Sequence, residues 1–129
     1  MQFNTMPTKC NICGGSVEYL NMKDVGIRPF QSGKCYYCTA CGAYVGTHQK
    51  RPKEALGILA DSEGRKLRAL CHSEFDLHWV SLSGKNKLYF RLSKALGIQS
   101  EMCHFGYMDN GMLRKAYKVM KSWGDMKLR

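Results

Sequence analysis

The chain has 129 residues, 44% hydrophobic and 23% charged, which suits one globular domain and excludes a disordered tail or a coiled coil. A net charge of +10 favours nucleic acid or another acidic partner. No apolar run could cross a membrane, and residues 1–10 lack the apolar stretch of a secretory signal. We therefore expect a cytoplasmic protein with no membrane partner, whose seven cysteines are reduced and available for metal binding.

The strongest motif is a pair of matched C-x₂-C-G sequences, CNICG and CTACG, with 24 residues between the two cysteine pairs. Each pair places two thiolates on a tight turn, and two such turns complete a tetrahedral zinc site. The glycines suit a turn with positive φ whose N–H groups point at sulfur. A closed site of four cysteines has no open position for water, which indicates one structural zinc ion per chain. A redox role is disfavoured because the pairs are matched. The predicted ligands are Cys10, Cys13, Cys38 and Cys41.

Short strands are predicted around these cysteines, over residues 16–20, 34–37 and 43–48, with a Gly/Pro loop at 26–33. Cys35 is a competing ligand, but Thr39 rather than glycine follows Cys38, so the 38/41 pair fits the turn better. Cys35 is then a strand residue beside the site. These elements predict an α+β fold, in which an N-terminal four-cysteine zinc ribbon of short antiparallel strands packs on a small three-helix domain.

Three helices are predicted in the second half of the chain. The first begins at Asp61 or Ser62, the second near Asn86, and the third at Asp109 or Asn110. Gly97 is expected to end the second helix in a left-handed conformation. The apolar positions recur at helical spacing and form the expected core. They are Leu67, Leu70, Cys71, Phe75 and Trp79, then Leu88, Tyr89, Leu92, Ala95 and Leu96, then Met112, Leu113, Ala116, Tyr117 and Met120.

The positive charge is concentrated after residue 49, and the cysteines are concentrated before residue 42. We place the boundary within residues 48–53, which gives a zinc ribbon over 1–50 and a basic helical region over 51–129 that forms one compact unit with the ribbon. A face of the third helix carries only positive charges, which is either a solvated face or a polyanion contact. The predicted basic contact surface comprises Lys50, Arg51, Lys53, Arg114, Lys115, Lys118 and Lys121.

Polar residues also recur along one side of the first helix, at offsets 0, 4, 7, 11 and 15. This spacing describes either a salt-bridged solvent face, with His72 paired to Asp76, or a polar cleft with acid–base capacity. The catalytic candidates are His72, Asp76 and Arg68. A second metal site from Cys71-His72 and Cys103-His104 is disfavoured, because neighbouring helical residues point about 100° apart. The residues at these offsets are Asp61, Arg65, Arg68, His72 and Asp76.

The order of the motifs resembles a family of phage and prophage proteins known as the zinc-finger-containing domain of unknown function. The resemblance is carried by CNICG, CTACGAYVGTH, ALGILADSEGRKLRALCHSEFDLHW, FRLSKALGI and CHFGYMD, and extends from Cys10 to about Met120. It implies a compact ribbon-plus-helices domain of mobile-element origin, zinc on the four cysteines above, and no particular activity. It also marks a set of motif residues comprising His48, Arg68, His72, Asp76, Trp79, His104 and Asp109. Together with Arg65, which the helical spacing adds, these residues form the polar motif set.

We expect a binding protein rather than an enzyme. The leading hypothesis is a zinc-ribbon protein that contacts nucleic acid or a nucleoprotein complex through its basic surface. One alternative is a phage factor that inhibits or redirects a host protein, such as a defence nuclease, in the host cytoplasm. The other is a nuclease or phosphodiesterase that uses His72 and Asp76 with Arg68, although no complete catalytic motif is present.

Overall fold

The computed structural model describes residues 3–129 and divides them into two compact units, which we call the ribbon unit (3–62) and the helical unit (63–129). The ribbon unit contains a three-stranded antiparallel sheet in the order β1-β2-β3. The three predicted short strands are confirmed. Apolar and aromatic residues lie opposite one another on adjacent strands, and such cross-strand pairs stabilise a sheet. The strands are β1 Val17–Asn21, β2 Lys34–Cys38 and β3 Tyr44–Gly46, and a 3₁₀ turn, Met22–Val25, follows β1.

The ribbon unit continues past residue 50 because the backbone of residues 55–60 runs beside β3. Tyr44 and Ala60 exchange two N–H···O bonds of 3.1 and 3.0 Å, and the Leu56 amide donates to Gly46. This segment has no strand pattern in the sequence, so the boundary drawn within residues 48–53 did not include it. Its side chains complete a small apolar cluster, whose buried members are Cys10, Tyr36, Cys38, Ala43, Val45, Ala55 and Leu59.

The helical unit has three α-helices, and its two 3₁₀ turns, Ser100–Met102 and Phe105–Tyr107, lie between the second and the third. The first helix starts at the last residue of the ribbon unit. Their bounds are α1 Ser62–Asp76, α2 Leu82–Leu96 and α3 Asn110–Lys121. No helix in residues 3–129 has the length and the apolar character of a membrane span.

Local capping chemistry explains where these helices begin and end. The third helix was predicted to begin at Asp109 or Asn110, and Asp109 is the cap, because its side chain accepts a hydrogen bond of 2.8 Å from the Met112 amide. Gly97 ends α2 with a φ of 69°, as predicted. The predicted start of α2 near Asn86 was wrong by one turn. Ser81 is the actual N-cap, since its side chain accepts from the Gly84 amide at 3.1 Å.

The core of the helical unit is formed by apolar side chains from all three helices and from the second 3₁₀ turn. Most of the predicted core positions lie in it or against it, but Leu70 is 50% exposed and Ala95 is also exposed. These two side chains lie just outside the apolar stripe of their helices. The fully buried members include Cys71, Phe75, Leu88, Leu92, Phe105, Leu113 and Met120.

A buried histidine ties the C-terminal residues to α1, and sequence reasoning had assigned it no role. His78 is fully buried, and its two ring nitrogens lie 2.8 Å from the Glu74 carboxylate and 2.8 Å from the Met126 carbonyl. The Met126 carbonyl can only accept, so Nδ1 of the ring donates in that bond. The backbone of Leu128 pairs with the residues on both sides of Trp79. Its amide donates to the His78 carbonyl, and its carbonyl accepts from the Val80 amide.

Candidate metal centre and polar surfaces

The sulfur atoms of the four predicted ligands lie within 4.8 Å of one another. Cys10 Sγ is 3.7 Å from Cys41 Sγ, and Cys13 Sγ is 3.5 Å from Cys38 Sγ. With zinc–sulfur bonds of about 2.3 Å, the sulfurs of a tetrahedral site are about 3.8 Å apart, so this set fits one zinc ion. Each of these two contacts joins a cysteine of the first turn to a cysteine of the second.

The two cysteine turns have the same backbone geometry. In both, the amide of the first cysteine donates to the carbonyl five residues later at 2.8 Å, and the amide of the glycine donates back to that cysteine at 2.9 Å. Gly14 and Gly42 have φ angles of 77° and 79°, as the sequence predicted. The matched C-x₂-C-G sequences therefore fold as two equivalent metal-binding knuckles.

Backbone amides donate hydrogen bonds to the sulfurs of the cluster. The amides of Ile12 and Gly15 donate to sulfurs of the first turn at 3.3 Å, and the Cys41 amide donates to Cys38 Sγ at 3.4 Å. Donation from the Cys41 amide is the main cause that lowers the pKa of the Cys38 thiol to about 6. The thiolate is the form that binds zinc, so the fold prepares this ligand.

The cluster needs a positive ion to ionise completely. At Cys41 the amide of Ala43 acts to lower the pKa, but desolvation and hydrogen bonds with the neighbouring thiols outweigh it and raise the pKa to about 12. A divalent cation supplies the missing charge and releases the remaining protons. The donor set and its electrostatics thus both suit zinc.

The other three cysteines are buried thiols outside this cluster. Cys35 lies in β2 opposite Leu20 and Gly46, which confirms its interpretation as a strand residue beside the site. Burial raises the pKa values of Cys71 and Cys103 to about 11. Among residues 3–129, only the four ribbon cysteines form a group of three or more potential ligands, so a second metal site is not found there.

Asn11 anchors the first knuckle, and sequence reasoning missed it. Its side chain accepts from the Leu59 amide at 2.9 Å and donates to the Leu59 carbonyl at 3.0 Å. The side-chain amide of Asn11 therefore pairs with Leu59 as a backbone peptide group would, and it holds residues 55–60 against the metal site. An asparagine between two ligand cysteines was the available signal, because its side chain can imitate a peptide group.

The family comparison agrees with this geometry. The zinc-finger-containing domain family DUF3268 matches residues 6–123, which include the four predicted zinc ligands and all three helices. The chain belongs to this family. No curated protein and no solved structure matches it. This zinc-finger-containing domain is therefore a zinc-binding α+β protein, with a four-cysteine ribbon followed by three helices.

Replacing Gly15 with Ala should weaken zinc binding in this domain. A Cβ atom there would lie 2.7 Å from the Ala40 Cβ, 3.1 Å from Cys38 Sγ and 3.2 Å from Cys13 Sγ. We expect a loss of about 1–3 kcal/mol of unfolding free energy and a lower zinc affinity in a chelator competition. Gly111→Ala is the control, because its nearest atom is 3.6 Å away, and equal zinc affinity in the two variants would contradict the crowding.

The domain presents a basic loop, residues 50–53, that two tyrosines hold in place. The Tyr19 hydroxyl donates to the Pro52 carbonyl and the Tyr36 hydroxyl donates to the Lys53 carbonyl, each at 2.6 Å. Lys50, Arg51 and Lys53 are exposed on this loop, and Arg51 forms a surface ion pair of 3.5 Å with Glu54. An open depression of about 540 Å³ is lined by His48, Gln49, Lys50 and Arg51.

The basic face of α3 is less uniformly positive than its sequence suggests. Arg114 forms an ion pair with Glu63, and Lys121 lies 3.6 Å from the Glu74 carboxylate. Both acids come from α1, so spacing within α3 could not show them. Lys115 and Lys118 are exposed and have no ion pair within residues 3–129.

The polar motif set is divided between the units, because His48 belongs to the ribbon unit and the other members to the helical unit. Asp109 is the N-cap of α3, Arg65 and Arg68 are half-buried on α1, and Asp76 accepts from the Trp79 indole at 3.0 Å. No hydrogen bond joins His72 to Asp76 within the described part of the chain. Asp76 acts on His72 through its charge, while its carboxylate is hydrogen-bonded to Trp79.

His72 and His104 instead lie among aromatic rings. The His72 ring meets Phe105 edge-on at 4.8 Å, and the His104 ring lies 4.7 Å from Tyr107 and 5.9 Å from Tyr89. Desolvation by these neighbours is the largest cause that lowers the pKa of His72, and the nearby Lys85 and Arg68 lower it further, against the opposite effect of Asp76. The neutral ring is therefore the main form at neutral pH.

Proposed function

We propose that this zinc-binding protein binds nucleic acid, and that the basic loop is its principal phosphate contact. The observation that carries the proposal is the fixation of the loop backbone by Tyr19 and Tyr36. The loop carries three exposed cationic side chains, of which Arg51 also forms a surface ion pair with Glu54. A prearranged group of cations loses less conformational entropy on binding than a mobile one. Neutralised phosphates release counterions, which makes such binding favourable at low salt.

The zinc site supports this proposal through structure rather than chemistry. A closed site of four cysteines gives a small ribbon a rigid framework without a position for substrate. The loop begins four residues after the end of β3, and Tyr19 and Tyr36 belong to β1 and β2. Zinc therefore organises the sheet, and the sheet positions the loop.

A second contact is proposed at Lys115 and Lys118 of α3. These side chains are exposed, whereas Arg114 and Lys121 on the same helix are engaged by carboxylates of α1. We expect the two lysines to contribute less than the basic loop, because they supply two exposed positive charges and the loop supplies three. The mobile-element origin implied by the resemblance to phage and prophage proteins stays a prediction.

Removing the charges of the basic loop should weaken nucleic-acid binding. In the variant Lys50→Gln/Arg51→Gln/Lys53→Gln the tyrosine bonds persist, because they go to backbone carbonyls. We expect affinity for a labelled oligonucleotide to fall about tenfold or more at 0.1 M salt, and the slope of log K against log salt to decrease by about 2–3. Fluorescence anisotropy at several salt concentrations measures both quantities.

The matched control removes the same charge from other exposed positions of the ribbon, as Lys9→Gln/Lys23→Gln/Arg28→Gln. We expect its salt slope to stay close to that of the parent. An equal loss in both variants would indicate a net-charge effect without a defined loop contact. Absence of salt-dependent binding by the parent protein would refute the proposed function itself.

A further inference from the structure

The helical unit exposes a group of rings that neither the zinc site nor the basic loop uses. Two imidazoles are exposed and two tyrosines are half-buried, and they lie on two fully buried phenylalanines. Neighbouring ring centroids in the group are between 4.4 and 5.9 Å apart. This ring cluster consists of His72, Tyr89, His104 and Tyr107 on Phe75 and Phe105.

The buried part of the ring cluster fixes the exposed part. Phe75 and Phe105 are each 1% exposed and meet edge-on at 5.8 Å within the helical core. The Tyr89 ring packs against Phe75 with the centroids 4.4 Å apart and the planes tilted by 33°, and the His72 ring meets Phe105 at 4.8 Å. The surface rings are thus held on a packed core, so a flat ligand would bind them with little loss of conformational entropy.

Positive charge lies beside the ring cluster. Lys85 Nζ is 5.1 Å from the Trp79 ring centroid, and Lys85 and Arg68 both act electrostatically on His72. The neighbouring Asp76 carboxylate accepts a hydrogen bond from the Trp79 indole. The helical unit carries thirteen Lys and Arg residues and six Asp and Glu residues, a net charge of +7. A ligand with flat rings and a negatively charged backbone complements this surface.

Resting on the proposed function, we infer that the ring cluster stacks on unpaired bases, so that single-stranded DNA or RNA is the preferred nucleic acid. Bases inside a duplex already stack on one another and cannot present their faces to a protein ring. Every base has such a face, so the recognition tolerates different sequences. His72 supports this role as a neutral ring, since desolvation lowers its pKa.

The test compares the zinc-loaded full chain with two ring variants by fluorescence anisotropy. The probes are short labelled oligothymidine and oligouridine strands and a DNA duplex of equal length. We expect His72→Ala/His104→Ala to weaken strand binding about tenfold or more, and to leave duplex binding unchanged. His72→Phe/His104→Phe keeps both rings and should retain strand binding. Phe90→Ala removes an exposed ring outside the cluster, 56% exposed, and should have no effect.

The outcomes separate this inference from the proposed function. A parent protein that binds the strands more tightly than the duplex, with loss in the alanine variant and retention in the phenylalanine variant, supports the inference. If the parent prefers the duplex, or if the alanine variant binds the strands as the parent does, the inference is wrong while the proposed function stands. If neither probe is bound, both are wrong.

Discussion

Replacing Cys38 with Ser should abolish stoichiometric zinc binding and unfold the ribbon unit. Cys38 Sγ lies in the group of four sulfurs, receives the Cys41 amide, and belongs to a side chain that is fully buried in β2. Structural zinc contributes about 10–16 kcal/mol in zinc-finger peptides, whereas the apolar core of so small a unit rarely supplies more than about 3–5 kcal/mol. The ribbon therefore depends on its metal.

The measurement is zinc content by elemental analysis, together with tyrosine near-ultraviolet circular dichroism. Cys35→Ala is the matched control, because Cys35 is a buried cysteine of the same strand whose sulfur is outside the cluster. We expect about one zinc per chain in the parent and in this control, and none in Cys38→Ser. A Cys38→Ser protein that keeps both its zinc and its tyrosine signal would contradict the assignment of this ligand.

The helices should outlast the loss of zinc. The main apolar core contains residues of the helical unit alone, and the ribbon has a separate cluster. We therefore expect much of the helical signal at 222 nm to remain in Cys38→Ser or after treatment of the parent with a chelator. Simultaneous loss of the tyrosine and helical signals would show that the two units unfold together.

Replacing Glu74 with Ala should destabilise the helical unit by about 1–3 kcal/mol. The Glu74 carboxylate lies 2.8 Å from His78 Nε2 and 3.6 Å from Lys121 Nζ, and His78 has no exposed surface. Without the glutamate, a buried ring nitrogen loses its partner, and burial without a hydrogen bond is costly. Because His78 also contacts the Met126 carbonyl, we expect the C-terminal residues to detach from α1.

Glu63→Ala is the matched control for this prediction. Glu63 also pairs with a cation from α3, but its side chain is 58% exposed and that of Arg114 is 50% exposed. Surface ion pairs of this kind contribute about 0–1 kcal/mol, so we expect little change. Urea denaturation of the zinc-loaded proteins, followed at 222 nm, measures both free energies. Equal losses in the two variants would contradict a special role for the buried pair.

Patterns that depend on neighbouring residues were predictable from the sequence. The knuckle glycines, the Asp109 cap and the Gly97 helix end each follow from the conformation or hydrogen bond of one short segment. The predicted start of α2 near Asn86 was wrong although Ser81 is also a local cap, because Leu82 in the first turn is exposed and the buried apolar side chains begin only at Leu88. Capping chemistry was the better guide to that boundary.

Contacts between distant segments were not predictable in this way. Asn11 pairs with Leu59, Tyr19 and Tyr36 hold the basic loop, and the carboxylate of Glu74 meets His78 in the core. The charges on α3 looked alike in sequence, yet α1 neutralises some of them. Spacing reports which residues share a face of one element, but carries no information about what another element places against that face.

The sequence by itself determined the zinc ligands, the three strands, the three helices and the excess of positive charge, because each depends on composition or on short spacing. Only the tertiary structure decided which charges stay exposed, which histidine is buried, and that His72 and His104 join the same cluster of rings. Those properties arise when segments far apart in the chain exclude water from one another, and burial of that kind has no local signal.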